Sequence, residues 1–181
     1  GWDESSINVV NTCKLLEKAG VAMITIHGRT RSQYYLGKAD YEYIRLAKEA
    51  VKIPIIANGD IDSLEKAIEV LEYTKADGLM LGRGALGNPK LVTQIVEYLE
   101  SGKIIKKSTK EEQIEYLQRH FEELYALKGE HKAFSEMRGL SSHYLKGMPG
   151  MKQFKVKFTQ MKSKEEFYQI IDEIKKQRDI L

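Results

Sequence analysis

Ile55-Ile56-Ala57-Asn58-Gly59-Asp60 is a short apolar run that closes on an amide, a glycine and a carboxylate. The apolar part reads as a strand of the kind a parallel sheet buries on both faces, and its polar close falls where such a strand ends. Leu79-Met80-Leu81-Gly82-Arg83-Gly84 repeats the form with a guanidinium between two glycines. Glycine lets the backbone turn tightly and come close to a ligand, so that exposed N–H groups can meet phosphate oxygens. Upstream, Val21-Ala22-Met23-Ile24-Thr25-Ile26 is a third β-rich run, and it ends at His27-Gly28-Arg29-Thr30.

Helical patterns separate these runs. The first is capped by Ser5 or Ser6, runs to about Lys18 with Ile7, Val10, Leu15 and Leu16 inward, and ends at Gly20. The second covers Tyr41 to about Val51, and the third is capped by Asp62 or Ser63. Asn88-Pro89 opens a fourth that reaches Glu100, proline being well placed in a first turn. Strands alternating with helices through short loops imply parallel pairing with crossover helices. Three strands do not close an eight-stranded barrel. The stretch is therefore a small open sheet or the second half of a larger one, and Gly1-Trp2, a loop with no strand before it, favours the half.

After Gly102 the strand pattern stops. Ile114, Leu117, Phe121, Leu124 and Leu127 recur at helical spacing over Lys110–Lys128. Further helices fit Lys132–Leu145, Gln153–Met161 and Lys164–Ile180, with Gly147-Met148-Pro149-Gly150 as a turn and Ser163-Lys164-Glu165-Glu166 as a capping box. This predicts an α/β domain over residues 1–101 and an all-α domain over 102–181.

The overall charge of +3 conceals an asymmetry. Residues 1–101 carry 12 Lys and Arg against 14 Asp and Glu, whereas residues 102–181 carry 17 against 12. Lys146 to Lys164 holds six lysines and no acid, which points to a polyanionic partner for the C-terminal part. A solvated helix face is the alternative reading of that stretch. The single cysteine, Cys13, excludes an internal disulfide and suits a reducing compartment. With no secretory leader in the first residues and no bilayer-length apolar run, the chain is expected to be cytoplasmic.

Ligands of parallel α/β proteins sit at the carboxyl ends of strands, and all three ends here carry chemistry. His27 can meet a cofactor ring or phosphate, or merely satisfy a loop carbonyl. Asn58-Gly59-Asp60 is either a cradle or an ordinary turn. Gly82-Arg83 lies just before a helix start, a place that attracts phosphate. Tyr34-Tyr35 can stack on a base or cover the loop. Cys13 reads as packing, and His120, His131 and His143 lack metal-ligand spacing, so no metal site is expected.

Taken in order, Gly1-Trp2, Thr25-Ile26-His27-Gly28-Arg29-Thr30, Ile56-Ala57-Asn58-Gly59-Asp60-Ile61, Leu81-Gly82-Arg83-Gly84-Ala85 and Gly87-Asn88-Pro89 resemble the tRNA-dihydrouridine synthases, the bacterial B-type branch in particular. The likeness extends to Met137-Arg138 and Tyr144-Leu145-Lys146-Gly147 in the helical tail, and it covers the C-terminal half of such an enzyme. It implies an FMN-binding (β/α)8 TIM barrel followed by a helical tRNA-binding domain. The implied reaction is reduction of the 5,6 double bond of uridine in tRNA, with NAD(P)H as reductant. By the same resemblance, His27, Asn58, Gly59, Asp60, Gly82 and Arg83 hold the FMN, while Arg29, Thr30, Arg138, Lys146, Lys152 and Lys155 face tRNA. The family's catalytic cysteine is expected before Gly1, and Cys13, in a helix, cannot replace it. By itself a half-barrel leaves edges and an unfilled interior, so these 181 residues alone are expected to bind flavin weakly and not to turn over. Two other readings stay open: a non-catalytic tRNA-binding protein, or another FMN- or phosphate-binding barrel oxidoreductase acting on a small metabolite.

Overall fold

The computed structural model describes residues 1–177; positions 178–180 of the last expected helix lie outside the described residues. Three strands form, β1 (Ile24–His27), β2 (Ile55–Asn58) and β3 (Gly78–Met80). They lie in one parallel sheet in the order β1-β2-β3. The register pairs His27 with Asn58 and Asn58 with Met80, so the polar closes of the apolar runs finish side by side.

Four helices accompany the sheet: α1 (Val9–Lys18) precedes β1, α2 (Glu42–Ala50) and α3 (Leu64–Thr74) are the crossovers, and α4 (Lys90–Ser101) comes after β3. Their buried residues Cys13, Ile44, Ala47, Val70, Leu91 and Ile95 join Ile24, Ile26, Ile55 and Ala57 in one core. Burial on both faces of the strands, as expected from their apolar runs, is not what forms. Ile24 and Ile26 are buried while Thr25 and His27 are exposed, and β2 alternates in the same phase. Helices line one face only, and the polar residues at alternate positions mark the open one.

The start of α1 differs from expectation for a reason of capping, whereas α3 starts at one of its two expected caps. Ser6 does not begin α1. It closes a reciprocal cap with Asp3 on a single 3-10 turn, Glu4–Ser6, and α1 starts after Asn8. The inner face of α1 also differs from expectation: Cys13 is buried, whereas Leu15 is 67% exposed and Leu16 also faces outward. Ser63, rather than Asp62, caps α3 by accepting the N–H of Lys66 at 3.1 Å.

Beyond Gly102, the helices are α5 (Lys110–Lys128), α6 (Glu130–Tyr144), α7 (Lys152–Gln160) and α8 (Lys164–Lys176). Thr109 and Glu112 form a capping box on α5. At α8, Ser163 accepts from Glu166 as expected, but the Glu166 carboxylate reaches back to the N–H of Lys162 instead of Ser163. A second core gathers Ile114, Leu117, Phe121, Met137, Phe158, Phe167 and Ile171, with the Phe121 and Phe167 rings stacked at 3.9 Å. Leu127, expected on that face, sits in the last turn of α5 and is exposed. Lys90 on α4 pairs with Glu112 on α5 at 2.7 Å, and Gln94 on α4 donates to the carbonyl of Ile105 at 2.8 Å. These bonds tie the helical part to the sheet side. No described helix is long and apolar enough to cross a membrane.

Candidate active site at the strand ends

The site grows from the ends of the three strands. At β2, the chain passes through two consecutive left-handed residues, Gly59 at φ 124° and Asp60 at φ 51°. A Cβ on Gly59 would lie 2.9 Å from that of Ala39, so glycine is required both for its backbone and for the approach of the loop after β1. Tyr41 donates its hydroxyl to the Gly59 carbonyl at 2.7 Å. Burial first, then the nearby Asp60 charge, pushes that phenol up to about 12, so it remains a donor at neutral pH.

The Asp60 carboxylate organises the surrounding groups. Arg29 grips it with both guanidinium ends, at 2.9 and 2.6 Å, and the N–H of Ala39 donates to it at 2.8 Å. Arg29 also donates to the carbonyls of Leu36 and Gly37, at 3.1 and 2.8 Å. Its side chain is only 3% exposed. Hydrogen bonds from Arg29 are the main reason the Asp60 carboxyl sits below its ordinary range. The resemblance puts Arg29 on the tRNA side; its guanidinium is instead spent inside the protein, on Asp60 and on the loop after β1.

Arg83, at the end of β3, differs in every respect. Its side chain is 55% exposed and one nitrogen lies 3.7 Å from Asp60. The ring of Tyr35 covers it at 3.9 Å, an arrangement that favours a cation over an aromatic face. Among the described residues, the backbone N–H groups of Gly82, Arg83 and Gly84 find no internal acceptor. A Cβ on Gly82 would meet nothing and would project into open space. Beside them, the Asn58 amide donates to the Met80 carbonyl at 2.6 Å, which fixes its orientation and turns its oxygen away from that bond. His27 titrates below its ordinary value, by burial first and then by the charge of Arg29, so it is neutral at pH 7.

These groups share a cleft of about 840 Å³ lined by His27, Asn58, Gly59, Asp60, Gly82 and Arg83. Lys107, His143 and Lys146, from beyond Gly102 in the chain, also line it. That volume suits a cofactor-sized ligand. Within the lining, Ser108 Oγ and Gln113 Oε1 are buried without a hydrogen-bond partner among the described residues. Thr30 lies instead on a smaller cleft of about 300 Å³ that also reaches His27, and its hydroxyl and N–H both engage Gln33. Arg138, Lys152 and Lys155 do not line the large cleft. Arg138 donates to the carbonyl of Met161 at 2.9 Å, Lys152 is exposed on α7 and Lys155 is half-buried there. Nothing in the local sequence marks Tyr41, Lys107 or Gln113, whose roles depend on contacts distant in the chain. Tyr35 is visible there only as half of a tyrosine pair.

A parallel α/β frame with backbone donors and an exposed arginine at its strand ends is an arrangement whose chemistry suits an anion. Comparison with known proteins narrows this reading. Residues 1–179 match the family described as dihydrouridine synthase (Dus), and the chain belongs to that family. It is 42% identical over 155 residues to a probable tRNA-dihydrouridine synthase of Rickettsia bellii, covering 86% of this chain and 48% of that one. To tRNA-dihydrouridine synthase B of Shewanella oneidensis it is 39% identical over 172 residues, covering 95% and 53%. The B enzyme of Pseudomonas aeruginosa is 40% identical over 161 residues, covering 89% and 48%. The chain thus spans about half the length of the curated relatives it matches.

Proposed function

We propose that this chain is part of an FMN-dependent oxidoreductase that reduces uridine to dihydrouridine in tRNA, with residues 1–101 as the C-terminal half of its TIM barrel and 102–181 as its helical tRNA-binding domain. The observation that carries the reading is the cleft at the strand ends, lined by an exposed arginine, by backbone N–H groups without an acceptor among the described residues, and by Lys107 and Lys146.

The donor set fits a phosphate-bearing flavin. Arg83 and the N–H groups of Gly82, Arg83 and Gly84 hold the phosphate, and the open space above Gly82 leaves room for close approach. Asn58, oriented by Met80, and His27, neutral and exposed at the end of β1, are the side chains that would meet the ring. When bound, FMN supplies the hydride, drawn from NAD(P)H, that reduces the 5,6 double bond of uridine. The residues of this chain bind and orient: Lys107 and Lys146 bring positive charge to the cleft for incoming phosphates, and Lys152 and Lys155 extend it along α7.

The test is chemical. Transfer RNA from cells lacking the gene for this protein should lose dihydrouridine at one or more defined positions by nucleoside mass spectrometry. A full dihydrouridine complement in a strain without other members of the family would defeat the reading. A gene copy carrying Asn58→Ala and Arg83→Ala should restore less than about a tenth of the modification, consistent with losing two cofactor contacts.

A further inference from the structure

A carboxylate stands 3.7 Å from Arg83, the exposed cation at the strand ends, where an anion is to bind. Left to itself, Asp60 would take Arg83 as its partner and repel a dianion brought to the same guanidinium. It is not left to itself: Arg29, 3% exposed, covers both of its oxygens. The distances rank the two arginines, with 2.6 Å for Arg29 against 3.7 Å for Arg83. The ring of Tyr35 lies over the Arg83 guanidinium and holds it without neutralising its charge. Removing Asp60 altogether would also remove the acceptor of the Ala39 N–H, which fastens the loop after β1. The carboxylate is needed for that loop and must be neutralised for Arg83 to stay available.

We infer that Arg29 is a positioning residue for phosphate recognition: it cancels the charge of Asp60, leaves the Arg83 guanidinium free, and so makes the site select a phosphorylated flavin over its dephosphorylated form. This rests on the proposed function, since the anion in question is the FMN phosphate. It assigns Arg29 to the cofactor and not to tRNA, although Arg29 touches neither.

The readout is a ratio of affinities, independent of turnover. FMN and riboflavin are titrated separately into the flavin-free, full-length protein of which these residues are part, and followed by flavin fluorescence. The unaltered chain should bind FMN more tightly than riboflavin. Arg29→Met should cut that preference by about tenfold or more, because an uncompensated carboxylate now competes for Arg83. Arg29→Met with Asp60→Asn should recover most of it, since the repelling charge has gone. Adding salt should weaken the wild-type preference, as for any charge-based selection. Riboflavin serves as the control for folding. A fold damaged by Arg29→Met would lower both affinities together and would not be rescued by Asp60→Asn, and that outcome overturns the inference. Retention of the full FMN preference by Arg29→Met overturns it as well, while leaving the flavin reading intact. A wild-type chain that does not distinguish the two flavins removes the phosphate site itself, and the inference falls with it.

Discussion

The two arginines nearest Asp60 look alike in sequence, each beside a glycine at the end of an apolar run, yet one is buried and the other is not. The difference comes from where the backbone goes next. After His27, the chain turns back over Gly59, so Arg29 is enclosed by the carbonyls of Leu36 and Gly37. After Gly82, the chain makes one 3-10 turn and leaves Arg83 at the surface. Gly84 in that turn is under the strictest constraint. A Cβ there would lie 2.1 Å from the carbonyl oxygen of Ile61, a backbone atom that cannot swing aside. Gly84→Ala should therefore cost about 2 kcal/mol or more of stability, read from denaturant midpoints, by forcing the β2 and β3 ends apart. A loss under about 0.5 kcal/mol, the scale of ordinary surface substitutions, would show that the turn relaxes freely.

Among the elements, the segment from Gly28 to Asp40 has no regular structure, and its anchoring is electrostatic. Asp60 receives Arg29 and the Ala39 N–H, and Tyr41 fixes Gly59 from the far side. Because its partners hold the Asp60 carboxyl below the ordinary range when folded, the unfolded chain binds a proton there more readily. The contribution is thus complete above about pH 4 and is lost as the pH falls through the lower, folded value. Hydrogen exchange of the Ala39 amide should accelerate in that acid range relative to amides of β2. In Asp60→Asn, which keeps an oxygen for the Ala39 N–H but does not titrate, this extra pH dependence should vanish. An Ala39 amide whose protection ignores both changes would refute the anchoring role. Caps elsewhere follow local sequence more closely: Ser63, Thr109 and Ser163 each accept from the N–H three residues on.

At the level of the whole molecule, charge separates as the two cores do. The acidic excess lies with the sheet and the basic excess with the helices, whose lysines from Lys146 to Lys164 meet no acid within their own stretch. The fold satisfies some of them: Lys157 pairs with Glu173, and Lys164 lies 5.0 Å from the ring of Tyr125. Lys146 lines the large cleft and Lys152 is exposed. If the basic face meets tRNA phosphates, Lys146→Glu, Lys152→Glu and Lys155→Glu together should weaken tRNA binding at least about tenfold at low salt. The plot of log affinity against log salt should also become shallower by about two to three units, since each lost phosphate contact no longer releases its counterion. Unchanged salt dependence would return these lysines to the role of a solvated helix face.

The parallel strand–helix order, the chemistry at each strand end, the helical character after Gly102 and the family are all legible in the residues alone. Each is written in local patterns: periodicity, caps, and short motifs whose residue types have few uses. Whatever depends on contacts across the fold is not legible there. The strands are covered on one face and not two, α1 turns Leu15 outward, and Arg29 pairs with Asp60, 31 residues away. A charged side chain acquires its role from its partner and its burial. Neither is fixed until the register of β1 on β2 sets His27 beside Asn58 and brings the two loops together.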